Sequence, residues 1–183
     1  MAMIIMNRSQ QKSFTLIEVL VYIAILATVI VVIFSFLIWA IEINIKTRVM
    51  RETLDNARRV MEVIVYEVKE AENIYEPTSI FNAHPGQLSL KTSNHLPTGE
   101  NSTYIDFYIC GTHLCFKKES QDPIVLTSER VEITNLVFRQ IITNQIPSVQ
   151  IDLIINYKDS SGRTEYQASV NLKSAASLRQ YQQ

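Results

Sequence analysis

A long run of hydrophobic positions without a charge lies near the amino terminus of the chain. From Val19 to Ile41 the residues are almost all Val, Ile, Leu, Ala and Phe. An α-helix needs roughly 20 apolar residues to cross about 30 Å of hydrocarbon, and this run is long enough. A buried core helix of that length would normally show a polar stripe, which is absent here. The pattern therefore predicts a transmembrane helix, with Trp39 near its carboxyl end, where aromatic side chains often mark the membrane interface.

The hydrophobic positions that follow keep a helical period. Steps of four and three residues alternate along one apolar seam, which consists of Met50, Leu54, Ala57, Met61, Ile64, Val68, Ala71 and Tyr75. No Pro or Gly interrupts the chain from Phe14 to Glu76, and Pro77 supplies a stop. We predict one helix of about 60 residues, roughly 90 Å long. The seam fits docking on a following domain better than a coiled-coil dimer, which needs more heptads.

After Pro77 the hydrophobic period changes from helical to alternating, as in strands. The alternating segments are Tyr104–Ile109, Leu114–Lys117, Val131–Arg139, Val149–Tyr157 and Tyr166–Leu172. Turn residues at 111–113 and 159–162 separate the members of two predicted hairpins. The alternation slips near Thr134 and Asn135, where we expect a disturbed strand.

Together these elements predict an α+β fold, in which an antiparallel sheet of about four to six strands covers the outer half of the long helix. A chain of 183 residues suits one modest domain with an appendage. The predicted organisation is an amino-terminal segment at 1–13, a transmembrane helix half at 14–43, an extracytoplasmic helix half at 44–76, a connecting loop region at 77–103, a sheet domain at 104–173 and a polar tail at 174–183; resemblance to a known family, and not the hydrophobic pattern, sets the boundary after residue 13 and makes the first segment a leader.

The charge balance and the motifs exclude several function classes. With 17 Lys and Arg against 18 Asp and Glu, the chain lacks the bulk positive charge of many nucleic-acid readers. Lys117, Lys118 and Arg130, with Tyr104 and Tyr108 nearby, could form a small basic patch, although a solvated sheet edge explains them more simply. No phosphate-binding loop, Ser-His-Asp order or paired-carboxylate motif is evident, so we expect no enzyme, no cofactor and no metal.

Two cysteines, Cys110 and Cys115, lie at the ends of the first predicted turn. In a domain outside the cytoplasm a disulfide is the default, worth about 2 kcal/mol for so small a loop. Free thiols are an alternative. A metal site with His113 is another, but it needs a fourth ligand, and neither His84 nor His95 has zinc-finger spacing. We expect the three histidines to lie at the surface.

The residues on either side of the apolar run predict its orientation. Arg8 and Lys12 precede it without an acidic residue, which favours a cytoplasmic amino terminus and an extracytoplasmic carboxyl-terminal domain. The basic residues from Lys46 to Arg51 weaken this assignment, although acidic residues lie among them. A cleaved secretory signal would have an apolar core of about 7–15 residues and a small-residue cleavage site after it. A single-pass anchor, uncleaved or trimmed on its cytoplasmic side, fits better.

An isolated carboxylate, Glu18, stands at the start of the apolar run. Burying such a group in a bilayer costs a few kcal/mol at depth and less near the interface. Glu18 either marks the point where the membrane begins or awaits a positive partner from another subunit.

The sequence Phe14-Thr15-Leu16-Ile17-Glu18-Val19-Leu20-Val21 resembles the prepilin cleavage and N-methylation motif of type IV pilins and type II secretion pseudopilins. A short basic leader, an aromatic first mature residue, a glutamate four residues later and a long apolar helix occur in that order. The resemblance implies a pilin-like fold and cleavage between Ser13 and Phe14 by a prepilin peptidase. It also implies methylation of the new Phe14 amine, and a Glu18 that recognises the amino terminus of a neighbouring subunit.

One position departs from the family pattern, because Ser13 stands where glycine usually precedes the cut. We expect slow or partial cleavage there. The leader also begins with an apolar stretch, so translation from Met6 instead of Met1 would give a more typical leader.

The resemblance implies an inner-membrane subunit that enters a filament with other pilins or pseudopilins on an assembly platform. A minor pilin or pseudopilin is favoured, since no disulfide-bounded loop is evident near the carboxyl terminus and the sheet resembles that of minor components. The filament would serve a type IV pilus, type II secretion or DNA uptake. The alternatives are a membrane-anchored binding module that does not polymerise, such as an adhesin or DNA receptor, and an anchored enzyme, for which no nucleophile and base are found.

Overall fold

The structure, a computed structural model, describes residues 15–94, 96, 98–119, 121–143 and 146–179. One helix, α1, spans Leu16–Glu70, and antiparallel strands follow it. The chain divides into two compact units, one up to Glu42 and one from Ile43 onwards. The predicted α+β class is confirmed.

The described part of the first unit is the apolar portion of α1, whose side chains are exposed. By its length and composition this helix can cross a membrane. The hydroxyl groups of its threonine and serine residues are satisfied within the helix. Thr28 donates to the carbonyl oxygen of Ile25 at 2.7 Å, and Ser35 donates to that of Val31 at 2.9 Å. These polar side chains therefore present no unpaired donor to a surrounding apolar phase.

The second unit contains the remainder of α1 and two antiparallel sheets. The strands are β1 (Asn73–Ile74), β2 (Leu88–Thr92), β3 (Thr103–Cys110), β4 (His113–Lys118), β5 (Ile124–Val125), β6 (Val131–Thr143), β7 (Ile146–Tyr157) and β8 (Ser169–Ser177). The first five strands form one sheet in chain order, and the last three form the other. Short 3-10 helices occupy Glu76–Thr78 and Thr164–Tyr166.

The core of this unit forms between one face of α1 and both sheets. The buried helix residues Ala57, Val60, Met61, Ile64 and Val68 share one hydrophobic cluster with strand residues such as Phe107 and Phe138. The predicted seam therefore docks on its own domain over its central part. Its ends differ from the prediction, because Met50 is 41% exposed and Tyr75 is 37% exposed.

The predicted end of the helix at Glu76 was wrong, since α1 ends at Glu70. The backbone that follows pairs with β2 instead of continuing the helix. The amide of Glu72 donates to the carbonyl of Lys91 at 2.9 Å, and the amide of Tyr75 donates to that of Ser89 at 2.8 Å. Pro77 lies in the first turn of the 3-10 helix and does not terminate α1.

The prediction of a single sheet, with only a loop at 77–103, was also wrong. Strand β2 lies inside that loop region and pairs with β3 from Leu88 opposite Phe107 to Thr92 opposite Thr103. After β5 the chain starts a second sheet, because β6 pairs with β7. Alternation reveals that a segment is a strand, but it does not reveal its partner.

The other strand predictions met different outcomes. The disturbance near Thr134 and Asn135 is confirmed, because the register of β6 and β7 shifts between Ile133 and Asn135. The polar tail predicted from residue 174 was wrong in its first part: β8 continues to Ser177, and Leu178 is buried. Residues 180–183 lie outside the described residues.

The segment 80–87 joins the two sheets by main-chain hydrogen bonds to β6. The amide of Asn82 donates to the carbonyl of Phe138 at 2.8 Å, and the amide of Gly86 donates to that of Leu136 at 2.9 Å. A Cβ on Gly86 would lie 3.0 Å from the Leu136 carbonyl oxygen, so this close approach requires glycine. The second link comes from the turn between β3 and β4, whose Thr112 carbonyl accepts a hydrogen bond from the amide of Ile133 at 2.9 Å.

Candidate functional site

The helix α1 begins at a threonine that caps it. The hydroxyl oxygen of Thr15 accepts a hydrogen bond from the backbone amide of Glu18 at 3.3 Å. The carbonyl of Thr15 accepts from the amides of Glu18 at 3.1 Å and Val19 at 3.2 Å. A threonine followed three residues later by a glutamate has the spacing of a capping box, and the hydroxyl half of that box is formed. The sequence analysis missed this role, although the Thr-x-x-Glu spacing was visible.

Glu18 is an exposed carboxylate in the first turn of the helix, where a negative charge also complements the helix dipole. Each ion pair between described residues lies in the second unit, and none involves Glu18. Exposed apolar side chains follow it along the helix. A carboxylate in this position can take a positively charged partner from another molecule.

The predicted cleavage and methylation positions cannot be placed beside Glu18. Ser13, Phe14 and the basic residues Arg8 and Lys12 all lie outside the described residues. Cleavage at Ser13 and methylation at Phe14 therefore stay predictions from the sequence.

The structure joins Cys110 and Cys115 in a disulfide, the first of the three alternatives from the sequence. The bond closes the turn between β3 and β4, in which Gly111 has a positive φ of 67° that favours glycine. His113 Nδ1 lies 3.2 Å from the hydroxyl oxygen of Thr127. Across the described ranges, no cluster of three or more His, Cys, Asp and Glu side chains could hold a metal ion.

The remaining candidate side chains are dispersed. His84 is exposed, yet its Nδ1 accepts a hydrogen bond from the amide of Leu136 at 3.0 Å and so strengthens the link between the sheets. His95 lies outside the described residues. Arg130, for which a basic patch was the weaker of two interpretations, forms an ion pair with Glu52 on the helix at 3.5 Å.

One titratable group in a turn has an altered pKa. Hydrogen bonds from the backbone amide and then the hydroxyl of Ser161, at 2.9 and 2.7 Å, lower the pKa of the Asp159 carboxyl. These bonds stabilise the turn predicted at 159–162, because an Asp side chain that binds the backbone two residues ahead forms an Asx turn. The turn in which Asp159 lies therefore explains its lowered pKa.

Comparison with known proteins supports the amino-terminal site. Residues 8–39 match a family model described as the prokaryotic N-terminal methylation motif. Comparison of the chain with curated proteins and with solved structures gives no match. The matched residues include the helix start at Thr15 and Glu18 and most of the apolar run. The chain therefore carries, at residues 8–39, the amino-terminal signature of the type IV pilins and pseudopilins.

Proposed function

We propose that this chain is a minor pilin or pseudopilin, a structural subunit that assembles into a filament. The observation that carries the proposal is the methylation motif at 8–39, which continues without a break into an exposed apolar helix with one carboxylate in its first turn. An exposed apolar helix needs lipid or other helices around it. A membrane before assembly and a filament core after it supply these two environments.

Processing is the first step of the proposed pathway. A prepilin peptidase hydrolyses the peptide bond between Ser13 and Phe14 with one water molecule, and it then transfers a methyl group from a methyl-donor cosubstrate to the new amine of Phe14, which loses one proton in exchange. The cut leaves a mature amino terminus one residue before the capping residue Thr15.

Assembly is the second step, and the charge of Glu18 favours it. The Glu18 carboxylate pairs with the amino-terminal ammonium group of a neighbouring subunit. Each charge alone is penalised in an apolar environment, and their attraction is strong where the dielectric constant is low. Pairing therefore favours the assembled filament over a subunit that remains alone in the bilayer.

The subunit spans the inner membrane once, with its amino terminus in the cytoplasm and the sheets outside. Its partners are other pilin or pseudopilin subunits and an assembly platform. A minor role is supported by the position of the disulfide, which closes a turn between β3 and β4 and does not bound a loop near the carboxyl terminus.

Expression of the full chain with and without a prepilin peptidase tests the processing step. Mass spectrometry of the amino-terminal peptide is expected to show a methylated Phe14 only when an active peptidase is present. A catalytically inactive peptidase is the control, because it enters the membrane in the same way but cannot process the chain. An intact leader on a chain that still functions at the surface would contradict the proposal and favour the anchored binding module.

A further inference from the structure

A cleft of about 340 Å³ opens beside the outer face of the five-stranded sheet, and neither processing nor assembly uses it. It is lined by Tyr75, Thr78, Tyr104, Asp106, Lys117 and Glu119. The volume lies within the range of small-ligand pockets, about 300–1,000 Å³. All six residues belong to the second unit.

Two tyrosine rings form an aromatic corner in this cleft. The ring centroids of Tyr75 and Tyr104 are 4.8 Å apart, and their planes are inclined by 60°. Tyr75 remains 37% exposed. A tilted pair of this kind leaves ring surface accessible to a ligand while each ring holds the other in place.

Charged groups of both signs surround the aromatic corner. Asp106 on β3 stands directly opposite Lys117 on β4. The amide of Glu119 donates to the carbonyl of Tyr104 at 2.9 Å, which places Glu119 next to the aromatic corner. Among the described residues, no hydrogen bond or ion pair engages the side chains of Lys117 and Glu119. Their donor and acceptor groups are therefore available to a ligand.

One buried serine fixes both sides of the cleft. Ser89 is fully buried, and its hydroxyl donates to the Asp106 carboxylate at 2.5 Å. Its carbonyl accepts from the amide of Tyr75 at 2.8 Å, and its own amide donates to the hydroxyl of Ser79 at 3.0 Å. The carboxylate and the aromatic corner are thus held in position before any ligand arrives, as an efficient binding site requires.

We propose that this cleft binds a neutral saccharide. A sugar ring has an apolar face that can stack on Tyr75 or Tyr104, and hydroxyl groups that donate to carboxylates and accept from an ammonium group. Asp106, Lys117 and Glu119 together supply two carboxylates and one ammonium group, so the cleft has a net negative charge. That charge opposes phosphate and uronate groups. An uncharged polyhydroxylated ligand matches the cleft better than a nucleic acid does.

Binding to the full-length chain tests this inference. The protein is purified in lauryldimethylamine oxide, because detergents with sugar head groups would compete for the cleft. Calorimetry is carried out with cellotetraose, chitotetraose and maltotetraose as neutral probes, with tetragalacturonate as an anionic probe, and with a thymidine oligonucleotide. We expect at least one neutral probe to bind, and neither of the two anionic ligands to bind as tightly.

Matched variants test whether the neutral probe binds in the cleft. We expect Tyr104→Ala to weaken binding about tenfold or more, the scale of losing one aromatic contact. Asp106→Asn keeps the size of the side chain and is also expected to weaken binding. This second variant keeps the inference testable if Tyr104→Ala does not fold. Tyr66→Ala is the control, because Tyr66 is an exposed tyrosine on α1 that does not line the cleft. Absence of neutral binding, preference for an anionic ligand, or equal affinity of Tyr104→Ala, Asp106→Asn and Tyr66→Ala would overturn the inference.

Discussion

The side chain of Asn56 accepts a hydrogen bond from the backbone amide of Ser128, with 2.9 Å between Oδ1 and N. Asn56 is buried on α1, and its own amide group donates to the carbonyl of Glu52 at 2.8 Å. Ser128 lies between β5 and β6, where the chain passes from the first sheet to the second. This contact fixes the crossing segment to the helix.

Replacement of Asn56 by Ala is expected to destabilise the second unit by about 1–3 kcal/mol, because the partly buried Ser128 amide loses its acceptor. The measurement is thermal unfolding of the full chain in detergent. Asp55→Ala is the matched control, since Asp55 is the preceding helix residue and is exposed. Equal stability of the two variants would mean that the contact contributes little.

Removal of the disulfide by the double substitution Cys110→Ser and Cys115→Ser is expected to lower stability by about 2 kcal/mol, from the entropy of closing a short loop. The Thr112 carbonyl in this turn also accepts a hydrogen bond from the Ile133 amide of the second sheet, so the loss should extend to amide exchange at Ile133. Reductant should lower the melting temperature of the wild-type chain and leave the double variant unchanged. Faster exchange confined to 111–114 would contradict the proposed link between the sheets.

The substitution His84→Ala is expected to cost about 1–2 kcal/mol, because the amide of Leu136 loses its partner. His84→Asn supplies an oxygen acceptor near the same place and should recover part of that loss. Denaturant unfolding of both variants measures the difference. The interpretation of His84 as a structural acceptor fails if His84→Ala unfolds at the wild-type denaturant concentration.

Ser13 offers a test of the predicted processing site. Glycine usually precedes the cut in this family, so Ser13→Gly is expected to raise the fraction of chain processed at early times. A pulse-chase experiment with a prepilin peptidase measures that fraction, and Ser9→Gly in the same leader is the control. Equal rates for all three chains would show that Ser13 does not limit cleavage.

Hydrophobic patterns within short stretches of sequence predicted the apolar helix, two of the strands and the bulge. The apolar run from Val19 to Ile41 and the alternating segments of β3 and β7 follow directly from helical and strand periods. The slip at Thr134 and Asn135 was visible because a bulge interrupts the alternation.

Features that depend on distant partners could not be predicted. The helix ends at Glu70 because the next residues pair with β2, about twenty residues ahead, and no cap residue marks that end. Asn56 looks like any polar helix residue until Ser128 is placed beside it. The cleft likewise combines Tyr75, which follows β1, with Tyr104 on β3, and only the folded chain brings the two together.

The amino-terminal motif could be recognised from the sequence because its signal lies in consecutive residues. The methylation-motif match covers Glu18 and most of the apolar run, whereas cleavage at Ser13, methylation at Phe14 and the assembly role of Glu18 stay predictions. The capping role of Thr15 was not predicted, although a threonine three residues before a glutamate is a common helix start.

Entry of the Glu18→Gln variant into a filament tests the central claim most directly. The variant and the wild-type chain are expressed in a strain whose machinery assembles the wild-type chain, and both are measured in the sheared filament fraction and in the membrane. Glu42→Gln, an exposed glutamate just beyond the apolar run of the same helix, is the control. The account predicts normal cleavage of all three chains, with Glu18→Gln retained in the membrane and Glu42→Gln in the filament. Incorporation of Glu18→Gln at the wild-type level would contradict it.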